Sequence, residues 1–127
     1  MTADYAASVN WGAGTRVSQD GIRAALTPDV RWTAEAYNID AQGIEEVLNF
    51  IGQPQPGMTM ALHSFSNPRI DIQGDTGTGD WLLWGAIRVD DRRDQVFQRE
   101  EITYKRTDSG WKISSINLHF GATLNPS

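Results

Sequence analysis

The chain has no cysteine and only two histidines in 127 residues. The first absence removes any disulfide framework and any thiolate metal site. Two histidines cannot make a three-histidine zinc centre, and no H-E-x-x-H spacing occurs. The expectation is a protein with no metal and no cofactor. Positive charge is also scarce: 11 Lys and Arg stand against 16 Asp and Glu, for a net charge of −5. A nucleic-acid partner would need a basic stripe. Arg92, Arg93, Lys105 and Arg106 fall near two turns and read as solvated surface. No apolar run approaches the ~20 residues of a membrane span. The opening "MTADYAASVN" lacks the basic and apolar regions of a secretory signal. These absences predict a cytoplasmic protein that binds neither nucleic acid nor membrane.

The length fits a single domain over residues 1–127, large enough to bury a core without staples. Five tryptophans supply bulky apolar surface for a core, an interface or a ligand. There are no internal repeats and no low-complexity segment. Tyr5 to Trp11 reads as helix, broken by Gly12 and Gly14. Ser18 can cap a second helix through Ile22, Ala25 and Leu26. Pro28 in "TPDVRW" ends it, Val30 and Trp32 open a strand, and Asp29 reads as structural. Ile44, Val47, Leu48 and Ile51 then form an i, i+3, i+4, i+7 stripe, with Glu45 and Glu46 in the first turn. From Met58 the period becomes two. Strands are predicted from Met58 to Asn67, through Ile70 and Ile72, over 78–89, from Val96 to Arg106 and from Trp111 to Phe120. Pro68 marks a bend or an edge, and Asp75 is a turn former. Helices followed by a meander of long strands define an α+β fold. Its expected form is a curved antiparallel sheet wrapped around the N-terminal helices. The strand "DWLLWGAI" is apolar on both faces. One face can cover a pocket and the other needs a partner, which predicts a homodimer.

The motifs "TPDVRW", "HSFSNPRIDIQGDTGTGDW" and "YKRTDSGWKISSI", in this order, resemble the SnoaL-like branch of the nuclear-transport-factor-like superfamily. The resemblance runs from about Tyr5 to Phe120. It implies a cone-shaped sheet closed by helices around a deep, mostly apolar pocket. Members include polyketide cyclases, scytalone and bile-acid dehydratases, steroid isomerases, a dehydrochlorinase and oxygenase small subunits. Dehydratase-like members carry a tyrosine and, five residues on, an aspartate in the first helix. They add a histidine in the third strand and often an arginine in the last. Here Tyr5 and His63 match. Asn10 stands where the aspartate would be, and His119 lies where the arginine would be.

The resemblance makes His63, Tyr5 and Asn10 the candidate catalytic residues. An imidazole titrates near working pH and can take a proton. Tyr5 would donate to a substrate oxygen, against the plainer reading of helix packing. Asn10 can orient His63 or hold a carbonyl, but it cannot take a proton. Phe65 shares the His63 face by alternation. Trp32 and Trp84 are candidate ligand walls, although they and Trp81 also suit a core or an interface. In the last strand, unbroken alternation puts Trp111, Ile113, Asn117 and His119 on the concave side, which makes Asn117 and His119 substrate-binding candidates. A bulge near "SS" would instead turn Ile116, Leu118 and Phe120 inward and send His119 to the surface. Asp71, Asp80, Glu100 and Glu101 also sit in strands; Glu100 and Glu101 lie on opposite faces and either could enter a cavity. No pair of them stands out as glycosidase-like.

The expected function is a small-molecule pocket protein, most simply a cofactor-free lyase or isomerase acting on a hydrophobic cyclic substrate such as a polyketide or steroid. The alternatives are non-catalytic binding of an apolar ligand, and an assembly subunit of an oxygenase-like complex.

Overall fold

A computed structural model describes residues 2–124; residue 1 and residues 125–127, the two ends of the expected 1–127 domain, lie outside the described residues. Among the described residues there are three helices and six strands, in the predicted order except that a short strand, Ile39–Gln42, was not expected and the two stretches expected on either side of Pro68 form one strand. Helix α1 (Thr2–Val9) stops just before Asn10, earlier than composition suggested. Helix α2 (Gln19–Ala25) starts at Ser18, whose Oγ accepts from the Gly21 N–H at 3.0 Å. Strand β1 (Leu26–Ala34) begins before Pro28 rather than after it. The pairing of β1 with its neighbour lapses between Leu26 and Arg31, so the proline nitrogen meets no ladder acceptor. A short 3₁₀ turn (Glu35–Tyr37) leads to β2 (Ile39–Gln42) and then to α3 (Ile44–Ile51). On α3, Val47 and Leu48 are buried and Ile44 and Ile51 pack beside them, as the stripe requires.

The rest is a meander of β3 (Met58–Gln73), β4 (Thr76–Val89), β5 (Arg92–Thr107) and β6 (Gly110–Leu124). The sheet order is β2-β1-β6-β5-β4-β3, open and curved. Its pairs are antiparallel except at one seam, where β1 runs parallel to β6. The sheet is therefore mixed. A strand reached through helices from the opposite end of the chain enters in that direction, which a hairpin meander alone does not produce.

Register shifts bend the long strands, the first between Met58 and Met60 at the start of β3. Strand β3 runs through Pro68, but its register shifts between Ser66 and Arg69, where Asn67 has a φ of 51°. Strand β6 bulges at Ser114, between the pairs Tyr104–Ile113 and Thr103–Ser115, and again around Gly121. The core lies on the concave side, with Ile22, Leu26, Val30, Val47, Ile102, Tyr104, Ile113 and Ile116 all under 2% exposed. Among the described residues, no helix is long and apolar enough to cross a membrane.

Candidate functional site

The cone encloses a cavity of about 550 Å³ between α1, α3 and the concave sheet face. That size suits a small organic ligand. Most of the wall is apolar, formed by side chains such as Val9, Trp32, Phe50, Phe65, Leu83 and Leu118. Phe65 stands edge-on between Tyr5 and Trp81, with ring centroids 6.4 and 6.0 Å away. Trp32 packs on Phe50 at 4.9 Å.

His63 reaches this cavity because the end of α1 is pinned to β3. Trp11 and Ala61 exchange backbone hydrogen bonds of 2.9 and 2.8 Å. The register then sets Asn10, one residue before Trp11, beside His63, two residues after Ala61. Gly12 makes the pin possible. Its φ is 84°, and a Cβ there would run into the Thr59 carbonyl oxygen.

The Asn10 side chain serves His63 twice. Its Oδ1 accepts the His63 backbone N–H at 2.9 Å and lies 2.9 Å from the ring Nδ1. A backbone N–H can only donate, so the Asn10 atom facing it is the oxygen. An amide oxygen can only accept, so Nδ1 must carry its hydrogen. The neutral ring then has its lone pair on Nε2. Burial pushes the His63 pKa down to about 4, so the neutral form dominates at pH 7.

Tyr5 is 4% exposed, and its hydroxyl oxygen accepts from Trp32 Nε1 at 3.2 Å. The Tyr5 proton therefore remains available to donate. Burial raises its pKa strongly; the nearby Glu100 charge adds to this and the Trp32 hydrogen bond opposes it.

Glu100 also lines the cavity, and sequence reasoning left its face open. It is 2% exposed, while Glu101 points to the convex side. Its Oε2 has no hydrogen-bond partner among the described residues. Burial raises the Glu100 pKa to about 8. A signal was present in "VFQREEITYK". The even positions hold Val96, Ile102 and Tyr104, and the odd ones Arg99, Thr103 and Lys105, which puts Glu100 with the core.

Three expected substrate-binding residues lie elsewhere. The bulge at Ser114 shifts the face of the residues from Ser115 to Phe120, before the second bulge at Gly121. The Ser114 hydroxyl donates to the Thr103 carbonyl at 3.2 Å, and Ile116 and Leu118 turn inward. Asn117 and His119 consequently face outward. Asn117 Oδ1 accepts from the Thr33 hydroxyl at 3.1 Å, and His119 Nε2 lies 2.5 Å from Glu101 Oε1. Trp84 is 40% exposed on the convex face, because its neighbour Leu83 takes the inward position on β4. Its indole N–H donates to Gln95 Oε1 at 3.3 Å. Phe65 and Trp32 line the cavity with Tyr5 and His63. Among the described residues, no three His, Asp or Glu side chains gather as a metal site would need.

The sequence profile of the SnoaL-like domain matches residues 10–117. None of the curated proteins matches the chain by sequence. Among solved structures, the hexachlorocyclohexane dehydrochlorinase LinA-type3 from Novosphingobium barchaimii LL02 has a TM-score of 0.84 at 17% identity, covering 99% of this chain and 85% of its own. A scytalone-dehydratase-like protein from Novosphingobium aromaticivorans has a TM-score of 0.71 at 18% identity, covering 86% of this chain and 74% of its own. An NTF2-like protein with a cystatin-like fold from the same species has a TM-score of 0.65 at 15% identity, covering 80% and 68%. At these identities the likeness shows the fold.

Proposed function

The chain belongs to the SnoaL-like domain family, and from that premise we propose that it is a cofactor-free lyase or isomerase with His63 as the base. The observation that carries this reading is the double hydrogen bond from His63 to Asn10 Oδ1. It holds the ring in the tautomer whose Nε2 can accept a proton. A base must be deprotonated at working pH, and a pKa near 4 meets that condition. The depressed value also makes it a weak base, so the substrate would need an activated C–H, such as one next to or conjugated with a carbonyl. Tyr5 would hydrogen-bond the oxygen on which negative charge develops. The apolar wall of Trp32, Phe50 and Phe65 suits a hydrophobic cyclic molecule of the polyketide or steroid kind. The two dehydrochlorinase- and dehydratase-like neighbours, each named for an elimination, support the same class.

The test is turnover on a panel of cyclic ketones and hydroxy-ketones, with His63→Ala as control. Loss of rate in the variant is expected. Equal rates would remove His63 from the mechanism. The neutral amide at Asn10 favours a second reading, a pocket that binds a ligand without chemistry, because an amide in place of a carboxylate brings no charge to stabilise a protonated His63. Native mass spectrometry showing a bound molecule that leaves unchanged would favour that reading. A homodimer through the convex face fits either one, since Leu82 and Trp84 expose 47% and 40% of their surfaces there.

A further inference from the structure

The acid end of the cavity is as unusual as the base end. Glu100 sits on β5 directly across from Trp81 on β4 and Leu118 on β6. Neither neighbour carries charge. The titratable groups that feel its charge are Tyr5, from α1, and Tyr104, four residues on along β5. Both are phenols, and neither supplies a positive charge to stabilise a carboxylate. Tyr104 is otherwise engaged: its hydroxyl lies 2.7 Å from Thr2 Oγ1 and accepts from Trp81 Nε1 at 2.8 Å. The remaining titratable groups of the wall, Tyr37, His63, Arg92 and Asp94, lie on other elements or further along β5. Arg92 is paired with Asp94 at 2.9 Å.

A buried carboxyl without a cation and with an unpartnered oxygen is neutral, or it is solvated by something the cavity holds. We propose that Glu100, as an uncharged acid, donates a hydrogen bond to an uncharged oxygen, a carbonyl or ring hydroxyl, of an otherwise apolar cyclic ligand. Its raised pKa, about 8, keeps the proton in place at neutral pH. The register indicates the length of that ligand. His63 pairs with Gly85, Gly85 pairs with Val96, and Glu100 lies four residues beyond Val96. Two strand spacings and four residue rises separate the two backbones by roughly 16 Å on a flat pleat, and by less across a curved one. Both side chains reach inward over that gap. A ligand touching both would be at least two rings long, with its oxygen at one end and its activated C–H toward the other. This assignment rests on the small-molecule reading of the cavity and gives that molecule a polar end.

The test is binding by calorimetry of 1-tetralone and of tetralin, which has the same two rings without the carbonyl. The wild-type protein is expected to prefer 1-tetralone about tenfold at pH 7, the contribution of one net hydrogen bond. Glu100→Gln, which keeps a neutral donor, should retain the preference. Glu100→Leu should abolish it. In the wild type the preference should fade as pH rises through about 8, and in Glu100→Gln it should not. Equal binding of both compounds to the wild type would overturn the proposal and leave the apolar-pocket reading standing. Binding of neither compound would overturn both. A preference that survives in Glu100→Leu, or tighter binding of 2-naphthoate than of 1-tetralone, would also defeat it.

Discussion

Asn10 and His63, 53 positions apart, are joined by one oxygen that receives two hydrogens, each donor 2.9 Å away. The arrangement decides the tautomer and therefore which ring nitrogen can act. It also leaves His63 without a counter-charge, so only burial sets its pKa. Asn10→Asp would place a carboxylate at the same distance. An opposite charge in contact favours the imidazolium by about 1–3 units. The His63 pKa should rise from about 4 to between ~5 and ~7. An NMR titration of the ring in both proteins, with His119→Gln to remove overlap, reads this directly. An unchanged pKa would show that the two side chains do not meet in solution.

Gly12 holds that pair together from outside it. A Cβ there faces both a left-handed φ of 84° and the Thr59 carbonyl oxygen. Gly12→Ala should lower stability by about 2 kcal/mol or more. It should also loosen the Trp11–Ala61 pairing, so the amide protons of Ala61 and His63 should exchange faster with solvent. Gly14 has a similar φ, 82°, and among the described residues no atom lies within 4 Å of a Cβ there. Gly14→Ala therefore carries the strain without the clash and should cost less. Equal losses in denaturant midpoint would reject the steric part of the argument.

The convex face carries its own expectation. Trp84 and Phe97 are direct cross-strand partners, and Leu82 lies two residues from Trp84 on the same face. Such a cluster, beside the charged Arg99, Glu101 and His119, suits a second copy of the chain. Light scattering at micromolar concentration should give the dimer mass, and the double variant Leu82→Glu, Trp84→Glu should give the monomer mass. A monomeric wild-type protein would reject the dimer.

The fold was legible because its signals are strong and local. Ser18 caps α2, Val47 and Leu48 form the α3 stripe, and the turn at Asp75 closes the β3–β4 hairpin. The site was legible only where the chain alternates without interruption. Phe65 follows His63 on an unbroken stretch of β3 and reaches the cavity with it. Asn117 and His119 follow the Ser114 bulge, and one extra residue moves the side chains up to the next bulge to the other face. The two-serine run could signal a bulge but not decide it, because that depends on whether Ser114 finds the Thr103 carbonyl. Trp84 was lost to a different ambiguity. A strand apolar on both faces carries no pattern to say which tryptophan points inward. Periodicity is likewise silent on the parallel β1–β6 seam, since it reports faces and not strand order.

His63 and Glu100 should also set opposite limbs of the stability–pH curve. His63 has a folded pKa of about 4, below its ordinary 6.5. The unfolded chain takes up this proton first, so stability is fully present above pH 6.5 and is lost as pH falls toward 4. Glu100 has a folded pKa of about 8, above its ordinary 4.5. The unfolded chain releases this proton first, so stability is fully present below pH 4.5 and is lost as pH rises toward 8. Between 4.5 and 6.5 the two slopes oppose each other and nearly cancel. From 6.5 to 8 only Glu100 acts, lowering stability by about 1.4 kcal/mol per pH unit. Comparing each variant with the wild type cancels the surface groups common to both. Urea midpoints from pH 4 to 9 should show the alkaline decline of the wild type flattened in Glu100→Gln, and in His63→Gln the same decline, no longer opposed, beginning near pH 4.5 instead of 6.5. Parallel curves for wild type and Glu100→Gln above pH 6.5 would mean that Glu100 is already ionised in the folded protein, with a cation or water meeting its buried oxygen.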